Sequence, residues 1–494
     1  MKRFLSILLV MMMLTSCLVA CSSDDDKEDN SGVGTVEQGE SVPYDPAIDS
    51  LYYDDLDITL YYAEIGGAPR LEYEITEYTG DTVNDVVFRR NLAVKEKFGV
   101  NLLFEHDDGQ AMVTDLRKRH MAQDPTCDII APYAYYGVAL AIEGVYANIM
   151  DMKYLNVKNS WWNQSYVDAI TYNGQLYSLI GDLTTSATTC AVATFVNTKM
   201  MKEFGLGDVD LFETVDSGKW TLEYMMLMCK DVYAEDDTIN DRSEGDRYGF
   251  ILGQISQPAE ALLVSHDFDW TVTNDDGTMD FCLNSEKNVD ILSDLESFYN
   301  SRFTGIYKVP ALSGSEFATK GVGRYIELFT QQKTMVTISF LHTAEEIVKT
   351  PELEYLILPV PKGNEDQDGY RSMTHDSHCN ISISSQSDSQ EAAAAILEYM
   401  GYYSEKELTP RYFEISYQAK YASDINTMRL FDTIVDNICF DFARTYSRSL
   451  EDISQKMRGL VKDSLNISST IKTYQTQSQR YLDTLVHRFK GLKG

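Results

Sequence analysis

Leu56-Asp57-Ile58-Thr59-Leu60-Tyr61 alternates apolar and polar side chains, and the helical run and second strand beyond it decide the fold. Val83, Val87, Val94 and Phe98 recur at helical spacing, Gly99 stands where that helix must stop, and Val100 to Phe104 returns to a strand-like run. A period of two marks a half-buried strand; a period near 3.6 marks an amphipathic helix, and glycine favours the residue just past its end. Residues 110–122 place Met112, Leu116 and Met121 on a second, charge-rich helix, and Asp128-Ile129-Ile130-Ala131 reads as the next strand. Leu71-Glu72-Tyr73-Glu74-Ile75 alternates as well and predicts a further strand. Strands alternating with helices predict an α/β layer built on a largely parallel sheet.

Toward the carboxyl terminus the pattern is more helical. Thr221 to Val232 reads as a helix whose Met225, Met226 and Met228 are better explained by core packing than by a soft-metal site. Further helices are predicted over 284–300 and 391–402, and strands at Met335–Phe340 and Asn380–Ser384. Pro359-Val360-Pro361-Lys362-Gly363 breaks any regular element, and the tail from Asp424 is mostly amphipathic helix.

Toward the amino terminus, Lys2 and Arg3 precede an apolar run from Phe4 to Leu14 that only Ser6 interrupts. This is the layout of a secretion signal. The run is too short for a permanent bilayer span, which takes about 20 apolar residues. Leu18-Val19-Ala20-Cys21 resembles the lipobox of bacterial lipoproteins, and Leu14-Thr15-Ser16-Cys17 fits almost as well. Cys21 is the preferred lipidation site, because the polar tract Ser22-Ser23-Asp24-Asp25-Asp26 begins directly after it. Residues 1–20 would then be a signal peptide and 21–47 a flexible linker, reaching about 25–30 Å on average by coil scaling. The expected location is the extracellular face of the cell membrane, held there by lipid.

Without residues 1–20 the chain carries 40 basic against 76 acidic residues. So negative a surface repels phosphate backbones and excludes nucleic acid as an expected partner. Six cysteines remain beyond Cys17 and Cys21, widely spaced and without a CxxC pair, so neither a disulfide-dense scaffold nor a zinc ribbon is indicated. No HExxH, GxSxG or phosphate-loop motif occurs. His375-Asp376-Ser377-His378-Cys379 holds metal-ligand residue types but reads as a polar loop, and Glu235–Asp246 is oxygen-rich without the spacing of an EF-hand. No catalytic residue, cofactor or metal is therefore expected. Aromatic residues are the stronger signal. Tyr133, Tyr135 and Tyr136 follow the Asp128–Ala131 strand directly, where open α/β sheets bind ligands. Trp162, Trp220 and Trp270 are further stacking candidates on composition alone.

Several ordered stretches together resemble extracellular solute-binding protein family 1, the maltose-binding-protein-like substrate-binding lipoproteins of ABC transporters. These are Asp85–Asn91 with Phe98-Gly99-Val100, Trp161–Ser165, Tyr172-Asn173-Gly174-Gln175-Leu176-Tyr177, Gly181-Asp182, Phe195-Val196-Asn197-Thr198-Lys199, Asp216–Thr221 and Leu358-Pro359-Val360-Pro361-Lys362. The resemblance implies an α/β, two-lobed periplasmic-binding-protein-like fold of type II, with lobes joined by a multi-segment hinge. Lobe 1 would hold residues 48–186 plus 378–405, and lobe 2 residues 187–377 plus 406–494. Positions carried over from the maltose-type site are the Tyr133–Tyr136 loop, Thr184, Thr185 and Ser186, and Phe340 to His342, where His342 replaces a stacking tryptophan. The function implied is a monomeric, non-enzymatic receptor that delivers a small solute, an oligosaccharide, to ABC permease subunits. A surface glycan hydrolase and a non-transporting surface lipoprotein are the alternatives.

Overall fold

The computed structural model describes residues 44–64, 72–236, 242–252, 256–308, 324, 326–416, 425–462 and 466–492. The signal, both candidate lipidation cysteines and nearly all of the linker lie outside the described residues.

The first strand-helix alternation forms as the sequence pattern requires. Strand β1 (Leu56–Glu64) pairs in parallel with β2 (Val100–Asp108), in register from Leu56 opposite Val100 to Glu64 opposite Asp108. On its other side β1 pairs in parallel with β3 (Ile129–Ala131). Helix α1 (Thr82–Phe98) joins β1 to β2, and α2 (Gly109–Ala122) joins β2 to β3. Both helices start on an aspartate. The Asp81 carboxylate accepts from the amides of Val83 and Asn84, and the Asp108 carboxylate from those of Gln110 and Ala111. Such caps satisfy amides that no helical carbonyl can reach. Helix α1 ends on Gly99 at φ 62°, the left-handed conformation that glycine adopts without strain.

Leu71–Ile75 forms no strand: Leu71 is outside the described residues, and Glu72 to Ile75 run irregularly. The reason lies in α1. Arg90, fully buried, donates to the Glu72 carbonyl at 2.8 Å, and the Asn91 amide donates to the Tyr73 carbonyl at 2.6 Å. Side chains thus take up the backbone groups that a strand ladder would have used.

A second sheet lies further along the chain. Its strands are β4 (Val192–Asn197), β5 (Tyr233–Ala234), β6 (Arg247–Leu252), β9 (Ile306–Lys308), β10 (Thr334–Phe340) and β11 (Tyr355–Leu358), with β7 (Thr271–Thr273) and β8 (Met279–Phe281) forming a separate hairpin. The spatial order is β11-β4-β10-β6-β5, with β9 also on β6. Strand β10 is antiparallel to β4 and parallel to β6. Every residue of β10 is buried, as a central strand with apolar residues on both faces requires.

The chain crosses between the sheets more than once. It leaves the first sheet through residues 184–191 and enters β4. It returns through 374–381 to β12 (Ser382–Ile383), which joins β3 antiparallel and gives the first sheet the order β12-β3-β1-β2. Helix α6 then packs on α1; the longer helices on the way to it are α3 (Leu222–Cys229), α4 (Ser256–Ser265) and α5 (Glu286–Tyr299), and α6 itself is Gln390–Tyr403. The tail supplies α7 (Ile425–Val435), α8 (Ile453–Lys462) and α9 (Ile467–Gly491). It touches both halves: α8 packs on α4 and α5, while Phe440 and Phe489 pack edge-on or tilted against Tyr166 and Tyr172 of the first half. Cys127, Cys190, Cys229, Cys282, Cys379 and Cys439 are all free thiols. Among the described residues no helix is long and apolar enough to cross a membrane.

Candidate functional site

The two crossing segments run side by side, and the loops at the strand ends of both sheets close on them. From the first sheet, the loop after β3 pairs with the return crossing: the Ala134 amide donates to the His378 carbonyl at 2.9 Å and the Tyr135 amide to the Asp376 carbonyl at 3.1 Å. From the second sheet, the loop after β10 pairs with the outward crossing, the Leu341 amide donating to the Ala191 carbonyl at 2.8 Å. The crossings bond to each other through the His375 amide on the Cys190 carbonyl at 3.1 Å and the Cys379 amide on Ser186 Oγ at 2.9 Å. This is the hinge-flanked position at which open α/β sheets present ligand-binding loops.

Of the residues expected to bind ligand, Tyr133, Ser186, Phe340 and His342 come together here. Tyr133 is half-buried; burial, with the nearby Asp376 carboxylate, pushes its phenol well above the usual range. Phe340 and His342 stack with ring centres 5.2 Å apart, and Phe340 meets His375 edge-on at 5.5 Å. The Nδ1 of His342 lies 3.1 Å from the Thr189 carbonyl, and burial lowers the pKa of the ring, which favours a neutral imidazole donating that bond.

Thr184 and Thr185 serve the hinge itself. Thr184 Oγ1 donates to the Gly181 carbonyl at 2.7 Å and closes the turn into the crossing. Thr185 Oγ1 donates to Glu72 at 3.1 Å, and Ser186 adds both its hydroxyl, at 3.0 Å, and its amide. Glu72 could not be singled out from sequence, because its stretch alternates like a strand. Burial raises its pKa against these hydrogen bonds. Arg90 and Asn91, which fix the backbone at Glu72 and Tyr73, belong to the family-like stretch Asp85–Asn91. That segment therefore helps build the hinge, a role its periodicity did not reveal.

The three tryptophans offer no face to a solute. Trp162, Trp220 and Trp270 are 1%, 0% and 2% exposed. Trp162 Nε1 donates to the buried Glu398 at 2.9 Å, Trp220 Nε1 donates to the Pro359 carbonyl at 2.9 Å, and Trp270 packs edge-on against Phe268. They correct the composition-based expectation: the Trp161–Ser165, Asp216–Thr221 and Leu358–Lys362 stretches lock the core.

Tyr135 and Tyr136 are occupied from an unexpected direction. The Arg448 guanidinium lies 4.9 Å from the ring centre of Tyr135 and 4.6 Å from that of Tyr136. The Tyr135 hydroxyl donates to Asp452 at 3.1 Å and accepts from Gln455 at 3.0 Å. Nearby, the Glu260 carboxylate of α4 pairs with Arg444 at 2.7 Å and with Arg458. Burial alone would raise its pKa, but the two arginines prevail and hold it below the usual carboxylate range. In the His375–Cys379 loop, His375 Nδ1 lies 2.9 Å from Ser377 Oγ, and His378 Nδ1 lies 2.8 Å from the His375 carbonyl, so these nitrogens serve the loop's own geometry. A cavity of about 400 Å³ lies between Tyr172, Phe440 and Asp441 on one side and the β7–β8 hairpin on the other.

Two α/β bodies joined by repeated crossings, with strand-end loops facing the crossings, define the type II periplasmic binding-protein fold. The solved structures that share it include the GacH receptor of Streptomyces glaucescens, known unliganded and with acarbose. It superposes with a TM-score of 0.55 at 11% identity, over 87% of this chain and 99% of that one. A cyclo/maltodextrin-binding protein complexed with maltotetraose gives 0.56 at 13%, over 87% and 98%. An ABC substrate-binding protein from Listeria monocytogenes in complex with cycloalternan gives 0.53 at 14%, over 89% and 100%. No family model matches the sequence, and no curated protein matches it either.

Proposed function

We propose that this protein is a non-enzymatic carbohydrate receptor that captures an oligosaccharide between its two α/β bodies. The observation that carries this reading is the convergence of Tyr133, Phe340, His342 and His375 on the paired crossings, in a fold whose solved examples are described as holding acarbose, maltotetraose and cycloalternan. Flat aromatic faces suit the C–H face of a sugar, and hydroxyl and imidazole groups suit its hydroxyls. A hydrolase would need two available carboxylates facing each other. Two buried carboxylates beside the crossings, Glu72 and Glu260, are engaged, one by Thr185 and Ser186 and the other by Arg444 and Arg458.

The lipobox at Cys21 supports attachment to the outer face of the membrane, and delivery to an ABC permease completes the reading. Thermal unfolding in the presence of neutral oligosaccharides tests the receptor role. A ligand at 100 times its Kd stabilises the native state by about 2.7 kcal/mol, so the correct sugar raises Tm. A rise with peptides or polyamines and none with any sugar would overturn the carbohydrate assignment. Incorporation of labelled fatty acid, lost in Cys21→Ala, tests the anchor; labelling that survives in the Cys17→Ala, Cys21→Ala double variant would refute it.

A further inference from the structure

A second cavity, of about 320 Å³, lies beside the tyrosine loop, between α2, the segment 136–143 and α9. It differs in charge from the rest of the molecule. Its walls carry Arg117, Arg448 and Arg488 against a single carboxylate, Glu143, in a chain with an excess of 34 acids. Arg117 neutralises Glu143 through two parallel hydrogen bonds of 2.7 Å. Arg448 and Arg488 have no carboxylate partner among the described residues. Of the two carboxylates just before α8, neither lines the cavity: Glu451 pairs with Lys456 at 2.9 Å, and Asp452 is turned to the Tyr135 hydroxyl at 3.1 Å. Two arginines left without counter-charges, where acids outnumber bases nearly two to one, mark a place that attracts an anion.

We propose that this cavity binds a monosaccharide-sized carboxylate, a hexuronic acid, independently of the cleft at the crossings. Guanidinium forks match carboxylates in a planar, two-bonded geometry. Arg448 is held in place by the tyrosine loop, its guanidinium carbon 4.9 and 4.6 Å from the ring centres of Tyr135 and Tyr136. The cavity exceeds what a bare anion needs. Gln110 and Thr484 supply hydrogen-bonding groups for hydroxyls, and the partly exposed Ala139 and Ile142 supply an apolar wall for a sugar's C–H face. Because the ligand would touch both the tyrosine loop and the tail, it would also tie the tail to the first α/β body.

Isothermal titration of the full chain with D-glucuronate, D-glucose and inorganic sulfate tests the proposal. Glucuronate binds, the affinity falls with added salt, and Arg488→Gln and Arg448→Gln each weaken it tenfold or more. Arg488 is exposed on α9, so its replacement leaves the fold intact, and the variant keeps any Tm rise that neutral oligosaccharides produce in the parent. That separates failure here from failure of the receptor reading. No glucuronate binding at about 10 mM, equal affinity in Arg488→Gln, or sulfate or glucose binding as tightly as glucuronate would each overturn the proposal.

Discussion

Glu398 lies at 0% exposure with three side-chain N–H groups converging on its carboxylate, from Trp161, Trp162 and Asn159. Burial raises its pKa to about 7 despite those donors. The folded protein therefore holds this proton at pH values where the unfolded chain has lost it, and the stability from this group falls as pH rises from about 4.5 to 7. His378 and His266 act in the opposite sense. Burial lowers both to about 4, so their contribution falls as pH drops from about 6.5 to 4. Removing the acid should unmask the trend set by the histidines. Urea unfolding of Glu398→Gln should show the variant gaining on the parent by about 2–3 kcal/mol between pH 5 and pH 8. A gap that does not change with pH would mean that Glu398 titrates as an ordinary surface acid.

At the scale of the element, two glycines separate backbone strain from packing strain. At Gly99 an added Cβ would lie 2.5 Å from Tyr52, but Tyr52 is 66% exposed and can swing away. Gly99→Ala should thus lose about 1 kcal/mol, the penalty of a left-handed alanine. At Gly401, inside α6, the Cβ would lie 2.3 Å from Trp161, which is 2% exposed and enclosed. Gly401→Ala should cost more, about 2–3 kcal/mol, and chemical denaturation of the pair should preserve that order. Asp81→Ala should cost about 1 kcal/mol by uncapping α1. Elements with a clear period were legible in advance: β1, α1, β2, α2 and β10 form where their apolar residues recur. Glu72–Ile75 was not, because its carbonyls answer to Arg90 and Asn91, and side-chain competition for backbone groups leaves no periodic trace. Asn380–Ser384 shrinks to the two residues of β12 because its flanking amides bond one by one to the Pro132, Leu179 and Asp128 carbonyls and continue no ladder.

For the whole molecule, the tail ties the two halves together in addition to the crossings. Glu260 of α4 pairs with Arg444 and Arg458 of the tail, all nearly buried, and Arg458 comes within 3.9 Å of Asp376 in the return crossing. Glu260→Gln would leave two buried cations without their shared partner, and urea unfolding should register a loss of about 3–5 kcal/mol. A loss below about 1 kcal/mol would mean that water already reaches the triad. The fold and the tyrosine loop could be read from sequence because strand, helix and loop follow one another locally. The arginine facing that loop could not: Arg448 lies more than 300 residues from Tyr136, and only the completed fold brings them together.

The six unpaired thiols also bear on how the protein is made. Disulfides form and persist in oxidising surroundings and are rare where thiols are kept reduced. Here the native state contains no cross-link among the described residues, and Cys127, Cys190, Cys229 and Cys379 are shielded from oxidants by burial. Recovery after dilution from urea should therefore be the same with or without dithiothreitol.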